Sequence, residues 1–188
     1  MCVKLTKLVY FLSLLASLSI AANAVAGSHG DHSHESGDHH AESKSFKVTN
    51  LKEGFYLLQG KGGNILVSQG DQGLLVIDAD YAEMSSALEQ ALGELGGELR
   101  YVINTHWHVD HTQGNQALGK TADIVAHDNV YNRLNSRQEV KLFNMVSEPY
   151  PAHALPDLTY SATMAMYFNG DKLELVHTPN GHTDGDTV

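Results

Sequence analysis

The most informative stretch of this sequence is Ile103-Asn-Thr-His-Trp-His-Val-Asp-His-Thr-Gln-Gly-Asn115. An apolar strand is predicted to end just before its histidines and a helix to begin among them, so these side chains project from a rigid edge. Within six positions it holds three histidines and an aspartate, namely His106, His108, Asp110 and His111. Zinc binds imidazole and carboxylate readily, so this concentration of ligands predicts a metal centre.

The spacing suggests how the ligands divide. His106 and His108 are two residues apart in a predicted extended loop, so both can face one ion. Trp107 lies between them and must point away, which favours packing over coordination. Asp110 and His111 sit at the next turn and can face a second ion.

Short apolar runs separated by glycines predict strands on both sides of this stretch. A helix is predicted after Asp80, which with Glu83 forms a capping pair, and Gly96-Gly97 ends it. The start of a short helix is predicted over 110–119, a polar helix is expected over 129–137, and no pattern is readable over 139–163. The predicted strands are 55–58, 64–67, 74–77, 99–104, 124–126 and 173–176. Strands interrupted by single helices indicate a layered α/β domain with a mixed sheet.

The segment 105–112, Thr-His-Trp-His-Val-Asp-His-Thr, resembles the His-x-His-x-Asp-His signature of the metallo-β-lactamase superfamily. Other segments resemble the family in the same order: Gly63-Asn64, the strand ending at Asp78, and Val176-His-Thr-Pro-Asn-Gly-His-Thr-Asp-Gly-Asp186. The resemblance covers residues 46–188. It implies an αββα sandwich of mixed sheets with a dinuclear site at one edge. In this sequence the sandwich is expected to be incomplete at the C-terminus.

The resemblance also implies a ligand set. The first zinc would be held by His106, His108 and His182, and the second in part by Asp110 and His111. Zinc is therefore the expected cofactor, with two ions per complete domain. The remaining ligands of the second ion would come from residues after Val188, so the sequence is expected to be a fragment.

Two positions near these ligands keep alternative interpretations. The family loop is often Pro-Gly-His, but here Pro179-Asn-Gly-His182 is one residue longer, which leaves His177 as an alternative third ligand. Asp78 would lie beneath the metal loops or cap the turn before the helix. His127 is expected to cap a helix, and His153 is expected to have no part in the site.

The resemblance implies a hydrolase acting on a small-molecule substrate. Zinc lowers the pKa of bound water towards neutrality, so metal-bound hydroxide would attack an ester, thioester, lactone or amide carbonyl. Asp110 is the expected catalytic residue, because its carboxylate can orient the nucleophile and pass a proton to the leaving group. Two alternatives remain, a β-lactamase proper and a non-catalytic periplasmic protein that binds or delivers zinc.

Residues 1–26 are typical of a secretory signal peptide. Lys4 and Lys7 precede an apolar run over 8–20, and Ala24-Val25-Ala26 offers a cleavage site. The competing interpretation is a membrane anchor, but no stable anchor is expected. Cleavage would remove Cys2, the chain's single cysteine, and would place the protein outside the cytoplasm, in a bacterial periplasm.

Residues 27–45 are polar and predict a disordered segment. The segment contains five histidines, His29, His32, His34, His39 and His40. It is either an arm that collects divalent metal ions or a solvated linker. The net charge of −10 has the wrong sign for binding nucleic acid, so no nucleic-acid partner is expected.

Overall fold

The computed structural model describes residues 44–141 and 144–188. The predicted signal peptide, and the histidine-rich segment except for its last two residues, lie outside the described residues. The strands are β1 (Lys47–Lys52), β2 (Phe55–Gln59), β3 (Asn64–Gly70), β4 (Gly73–Ile77), β5 (Leu99–Ile103), β6 (Asp123–His127), β7 (Gln138–Val140), β8 (Met145–Ser147), β9 (Leu158–Tyr160), β10 (Thr163–Phe168) and β11 (Asp171–Val176). The α-helices are α1 (Ser85–Leu95), α2 (Val109–Thr112), α3 (Asn115–Leu118) and α4 (Asp128–Leu134).

A seven-stranded mixed sheet forms the centre, in the order β1-β2-β3-β4-β5-β6-β9. Strands β1 to β4 form antiparallel pairs, whereas β4, β5, β6 and β9 run parallel. Parallel neighbours bring their carboxyl ends to one edge of a sheet, where ligands collect. The loops after β4, β5 and β6 therefore begin side by side.

Helix α1 covers one face of this sheet. It buries Leu88, Ala91 and Leu92 at helical spacing against Val76 and Val102 in one apolar cluster. The predicted capping pair is wrong: a 3-10 turn over Ala82–Met84 precedes α1, and neither N-cap residue, Tyr81 or Met84, makes a side-chain capping hydrogen bond. The carboxylate of Asp80 is instead hydrogen-bonded to the loop before β3.

The hairpin β10–β11 forms a second β layer on the opposite face. Phe168 and Leu175 of this hairpin pack against Leu75, Ile103 and Val125 of the central sheet. The layers thus follow the order helix, mixed sheet, second sheet, which are three of the four layers of the expected αββα sandwich. Residues 139–163 are more regular than expected, since they contain β8 and β9 and part of β7. These strands are too short to show a sequence period.

The helices after β5 and β6 are also shorter than predicted. The expected helix of 110–119 divides into α2 and α3, and α4 ends at Leu134 rather than at residue 137. Within residues 44–141 and 144–188, no helix combines the length and apolarity that a bilayer crossing requires.

Candidate metal centre

Three histidines from two distant loops converge at the edge where the parallel strands end. His106 and His108 lie in the loop between β5 and α2, and His182 lies in the loop after β11. One ring nitrogen from each falls within 4.8 Å of the others. The sequence separation between His108 and His182 is 74 residues, so only the folded sheet brings them together.

The geometry of this group fits a zinc ion. Nε2 of His182 lies 3.0 Å from Nδ1 of His108. Zinc–nitrogen bonds of about 2.0–2.1 Å at tetrahedral angles place ligand nitrogens roughly 3.4 Å apart. Three imidazoles in this arrangement leave a fourth position, as in catalytic zinc sites.

Asp78 supports two of the ligand-bearing residues from below. It is buried, with φ +69°, and its carboxylate accepts hydrogen bonds from the Thr105 N–H and hydroxyl, both at 2.8 Å. The Thr105 hydroxyl is 3.1 Å from Nδ1 of His106. Since that hydroxyl donates to Asp78, it accepts from Nδ1–H of His106, which leaves Nε2 of His106 as the free ligand atom. Of the two interpretations for Asp78, the position beneath the metal loops is the one observed.

Asp110 and His111 lie beside the three-histidine group. Nδ1 of His111 is 2.7 Å from the Asp78 carboxylate, which turns Nε2 towards the centre. That Nε2 is 3.3 Å from Oδ2 of Asp110, and the His111 ring centroid is 4.1 Å from that of His106. The two side chains thus form an adjacent imidazole and carboxylate that could bind a metal ion, although the three-histidine group itself includes neither.

The protonation states of His106 and His108 suit metal binding. Burial, assisted by the charge of His111, lowers the pKa of His106 to about 4. Burial, followed by the charge of His182, also lowers the pKa of His108. Burial lowers the pKa of His111 too, but the hydrogen bond and charge of Asp78 outweigh it and the pKa is raised. His106 and His108 therefore present neutral lone pairs at neutral pH, the form that a metal binds.

The glycine-rich loop before β3 packs against Asp110 and His111. Sequence reasoning missed this contact. The carboxylate of Asp80, itself fully buried, accepts the N–H groups of Lys61 and Gly62 at 3.1 and 2.8 Å. A Cβ on Gly62 would lie 2.7 Å from the Asp110 carbonyl, and one on Gly63 would lie 2.6 Å from the His111 ring. The loop can approach so closely only because both positions lack a side chain.

The loop that carries His182 is organised by Asp186. Its carboxylate accepts the N–H groups of His182 and Thr183. A Cβ on Gly181 would collide with this carboxylate. These hydrogen bonds explain how a loop one residue longer than expected still presents His182 to the other two ligands.

His177, the alternative third ligand, is used elsewhere. Its Nδ1 donates to the carbonyl of Asp186 at 2.9 Å, and its ring stacks on His127 with centroids 3.7 Å apart. His127 accepts the N–H of Asn129 and so caps α4, as predicted. His153 lies outside the group, and its Nε2 is 3.1 Å from the carbonyl of Gln116.

Comparisons with known proteins bear on the fold and the family of this chain. The family model described as the metallo-beta-lactamase superfamily matches residues 56–188. A metallo-beta-lactamase of Cronobacter sakazakii with a HARLDQ motif is similar in structure, with TM-score 0.66 and 20% identity over 77% of this chain and 57% of that chain. The subclass B3 metallo-beta-lactamase BJP-1 of Bradyrhizobium japonicum gives TM-score 0.63 and 21% identity, over 77% of this chain and 56% of that one.

The metallo-beta-lactamase GOB-18 of Elizabethkingia meningoseptica is also similar, with TM-score 0.65 and 19% identity over 77% of this chain and 55% of that chain. At these identities the likeness shows the fold. The chain spans little more than half the length of these solved structures. The family match covers most of the sequence, and both parts of the His-x-His-x-Asp-His…His pattern lie inside it. The chain therefore belongs to the metallo-beta-lactamase superfamily.

Proposed function

We propose that this protein is a zinc-dependent hydrolase that cleaves an ester, thioester, lactone or amide bond of a small molecule. The observation that carries the proposal is the convergence of one ring nitrogen each from His106, His108 and His182 within 4.8 Å. These three residues would hold the first ion. Asp110 and His111 would contribute to a second.

A bound zinc ion lowers the pKa of a water molecule towards neutrality and polarises a carbonyl oxygen. The chain's own residues would orient the reaction. The side chain of Asp110 is 33% exposed and lies next to the His111 imidazole, so a solvent-accessible substrate can reach it. Its carboxylate would accept a proton from the nucleophile and return it to the leaving group.

The neutral state of His106 supports a role in binding metal rather than in proton transfer. A histidine with a pKa of about 4 is neutral near pH 7, so it carries no imidazolium proton to donate. His111 is hydrogen-bonded to Asp78 through Nδ1, which fixes the ring while Nε2 stays available. Asp110 is therefore the carboxylate we assign to proton transfer, and the histidines are assigned to the metal.

The test is a panel of hydrolysis assays on the zinc-loaded chain and two histidine variants. The substrates are an aryl ester, a thioester, a lactone and the β-lactam nitrocefin. We expect turnover of at least one substrate, lost in His108→Ala and retained in His153→Ala. His153 is the matched control because it is an exposed histidine with its own hydrogen bond outside the group.

The outcomes separate the remaining functions. Turnover confined to nitrocefin would make the protein a β-lactamase proper. Stoichiometric zinc that survives His108→Ala, with no turnover of any substrate, would contradict the hydrolase and favour a zinc-binding or delivery protein.

The proposed place of action is the bacterial periplasm, supported by the signal-like residues 1–26 and by the segment 27–45 that follows them. Fractionation of an expressing bacterium, with sequencing of the mature N-terminus, tests it. We expect a periplasmic protein that starts near Gly27; a full-length protein in the membrane fraction would contradict the proposal.

A further inference from the structure

An ion pair joins helix α4 to the loop that carries His182. Asp184 follows His182 by two residues, and its carboxylate accepts from Arg133 in α4. Nη2 of Arg133 is 2.8 Å and Nε is 3.1 Å from Oδ2 of Asp184. Nε also lies 3.3 Å from Oδ1. The same helix makes a second contact, since the Asn129 side-chain amide donates to the Asp184 carbonyl at 2.6 Å.

The same guanidinium contacts the other ligand-bearing loop. Cζ of Arg133 lies 5.6 Å from the ring centroid of Trp107, within range of a cation–π contact. Trp107 stands between His106 and His108 in sequence. Its ring packs edge-on to that of His108, with centroids 4.4 Å apart.

We propose that Arg133 is a positioning residue that contacts both loops supplying the zinc ligands and holds them in a fixed relative position. The proposal rests on the metal centre described under the proposed function. Arg133 touches neither the ion site nor the reacting atoms. It acts through Asp184 on the loop of His182, and through Trp107 on the loop of His106 and His108.

The chemistry of the side chain is suited to this task. A guanidinium is planar, so it can pair with a carboxylate along one edge while its face lies over an aromatic ring. Nη1 of Arg133 also donates to the Gln138 side chain at 3.0 Å, which fixes the orientation of the plane. A lysine at this position would keep the charge but could not make the paired and stacked contacts together.

The ion pair should act on metal binding more than on global stability. The side chains of Arg133 and Asp184 are 43% and 42% exposed. Exposed pairs contribute little to the free energy of unfolding. Residues that orient metal ligands without binding the metal nevertheless change metal affinity by about 10–100-fold when mutated.

The test measures zinc affinity of the full chain in competition with a chromophoric chelator. The variants are Arg133→Met, Arg133→Lys, Asp184→Asn and the double variant Arg133→Met/Asp184→Asn. His182→Ala gives the baseline for zinc bound elsewhere, including the histidine-rich segment. Arg137→Met is the matched control, since Arg137 is a nearby exposed arginine that pairs with Glu139 and Glu148 instead.

We expect Arg133→Met and Asp184→Asn each to weaken zinc binding at the centre about tenfold. The double variant should be no weaker than Arg133→Met, because one contact is lost in both. Arg133→Lys should fall between Arg133→Met and the wild type, and Arg137→Met should match the wild type. Wild-type affinity in Arg133→Met, additive losses in the double variant, or an equal loss in Arg137→Met would each overturn the proposal.

Two further measurements keep the result unambiguous. The melting temperatures of the metal-free variants should stay close to that of the wild type. If Arg133→Met fails to fold, Asp184→Asn is the variant that tests the proposal. The ligand-field spectrum of bound cobalt should shift in Asp184→Asn, which a merely structural loss would not cause. If the wild type and His182→Ala bind zinc equally, the proposed metal centre is contradicted. That result differs from one in which only the positioning role of Arg133 is contradicted.

Discussion

At the scale of single residues, His182 and His177 lie on one loop yet meet different partners. His182 joins the three-histidine group, whereas His177 donates to the Asp186 carbonyl and stacks on His127. We predict that His182→Ala lowers the zinc content of the chain by one ion, because zinc loses an imidazole ligand. Zinc analysis after gel filtration measures this.

His177→Ala is the control for that experiment, since it removes an imidazole from the same loop. We expect its zinc content to equal that of the wild type. An equal loss of zinc in both variants would show that the loop fold, rather than the His182 ligand, determines binding.

Asp78 gives a second prediction at this scale. Its carboxylate accepts from the Thr105 N–H, the Thr105 hydroxyl and His111 Nδ1 while almost fully buried. In Asp78→Asn one donor would face the amide NH₂, and an unsatisfied buried group costs about 1–3 kcal/mol. Urea unfolding of the metal-free chain should show this loss.

Asp71→Asn is the matched control, since Asp71 is an exposed aspartate beyond β3. Its unfolding midpoint should stay within error of the wild type. An unchanged midpoint in Asp78→Asn would mean that the hydrogen bonds of Asp78 add nothing to stability.

At the scale of elements, the glycine-rich loop before β3 depends on the absence of side chains. A Cβ on Gly63 would lie 2.6 Å from the His111 ring, whereas one on Gly93 in α1 would meet nothing within 4 Å. We predict that Gly63→Ala displaces His111 and lowers kcat/KM about 10–100-fold, since small misplacements of catalytic groups have effects of this size. Steady-state hydrolysis of the best substrate in the panel measures it.

Gly93→Ala is the control and should leave kcat/KM unchanged. Alanine is favoured over glycine inside a helix by about 1 kcal/mol, so this variant should melt at a higher temperature with unchanged kcat/KM. Wild-type kinetics in Gly63→Ala would refute the close packing of the loop on His111.

At the scale of the whole molecule, the second β layer is attached to the central sheet by a few buried side chains. Phe168 is 4% exposed and packs edge-on against Tyr101, with ring centroids 5.5 Å apart. We predict that Phe168→Ala lowers the free energy of unfolding by about 3–5 kcal/mol, as for other buried phenylalanines. Urea unfolding followed by fluorescence of Trp107, the single tryptophan, measures the change.

The neighbouring Tyr167 is 74% exposed and serves as the control. Tyr167→Ala should change the free energy of unfolding by no more than about 0.5 kcal/mol. Equal effects of the two substitutions would mean that the hairpin β10–β11 is not packed on the sheet as described.

The sequence alone predicted the family, the layered α/β class and the residue types of the candidate centre. These follow from local patterns: apolar runs of strand length, glycine turns, and the His-x-His-x-Asp-His spacing on one loop. Strands β2 to β6 and β11 were predicted because each is long enough to show an apolar run between turn residues. The short strands β7 to β9 were not, because three residues define no period, and the six-residue strands β1 and β10 were missed as well.

Only the tertiary structure decided which histidine of the second loop meets the first two, and what Asp80 does. Sequence spacing suggested a helix cap for Asp80, but its carboxylate binds the backbone of the loop that covers His111. His177 and His182 are equivalent by residue type. The hydrogen bonds of Asp186 direct His182 towards the other two histidines and hold His177 against His127. Such contacts join residues far apart in sequence, and their geometry is set by how the layers pack, which no local pattern encodes.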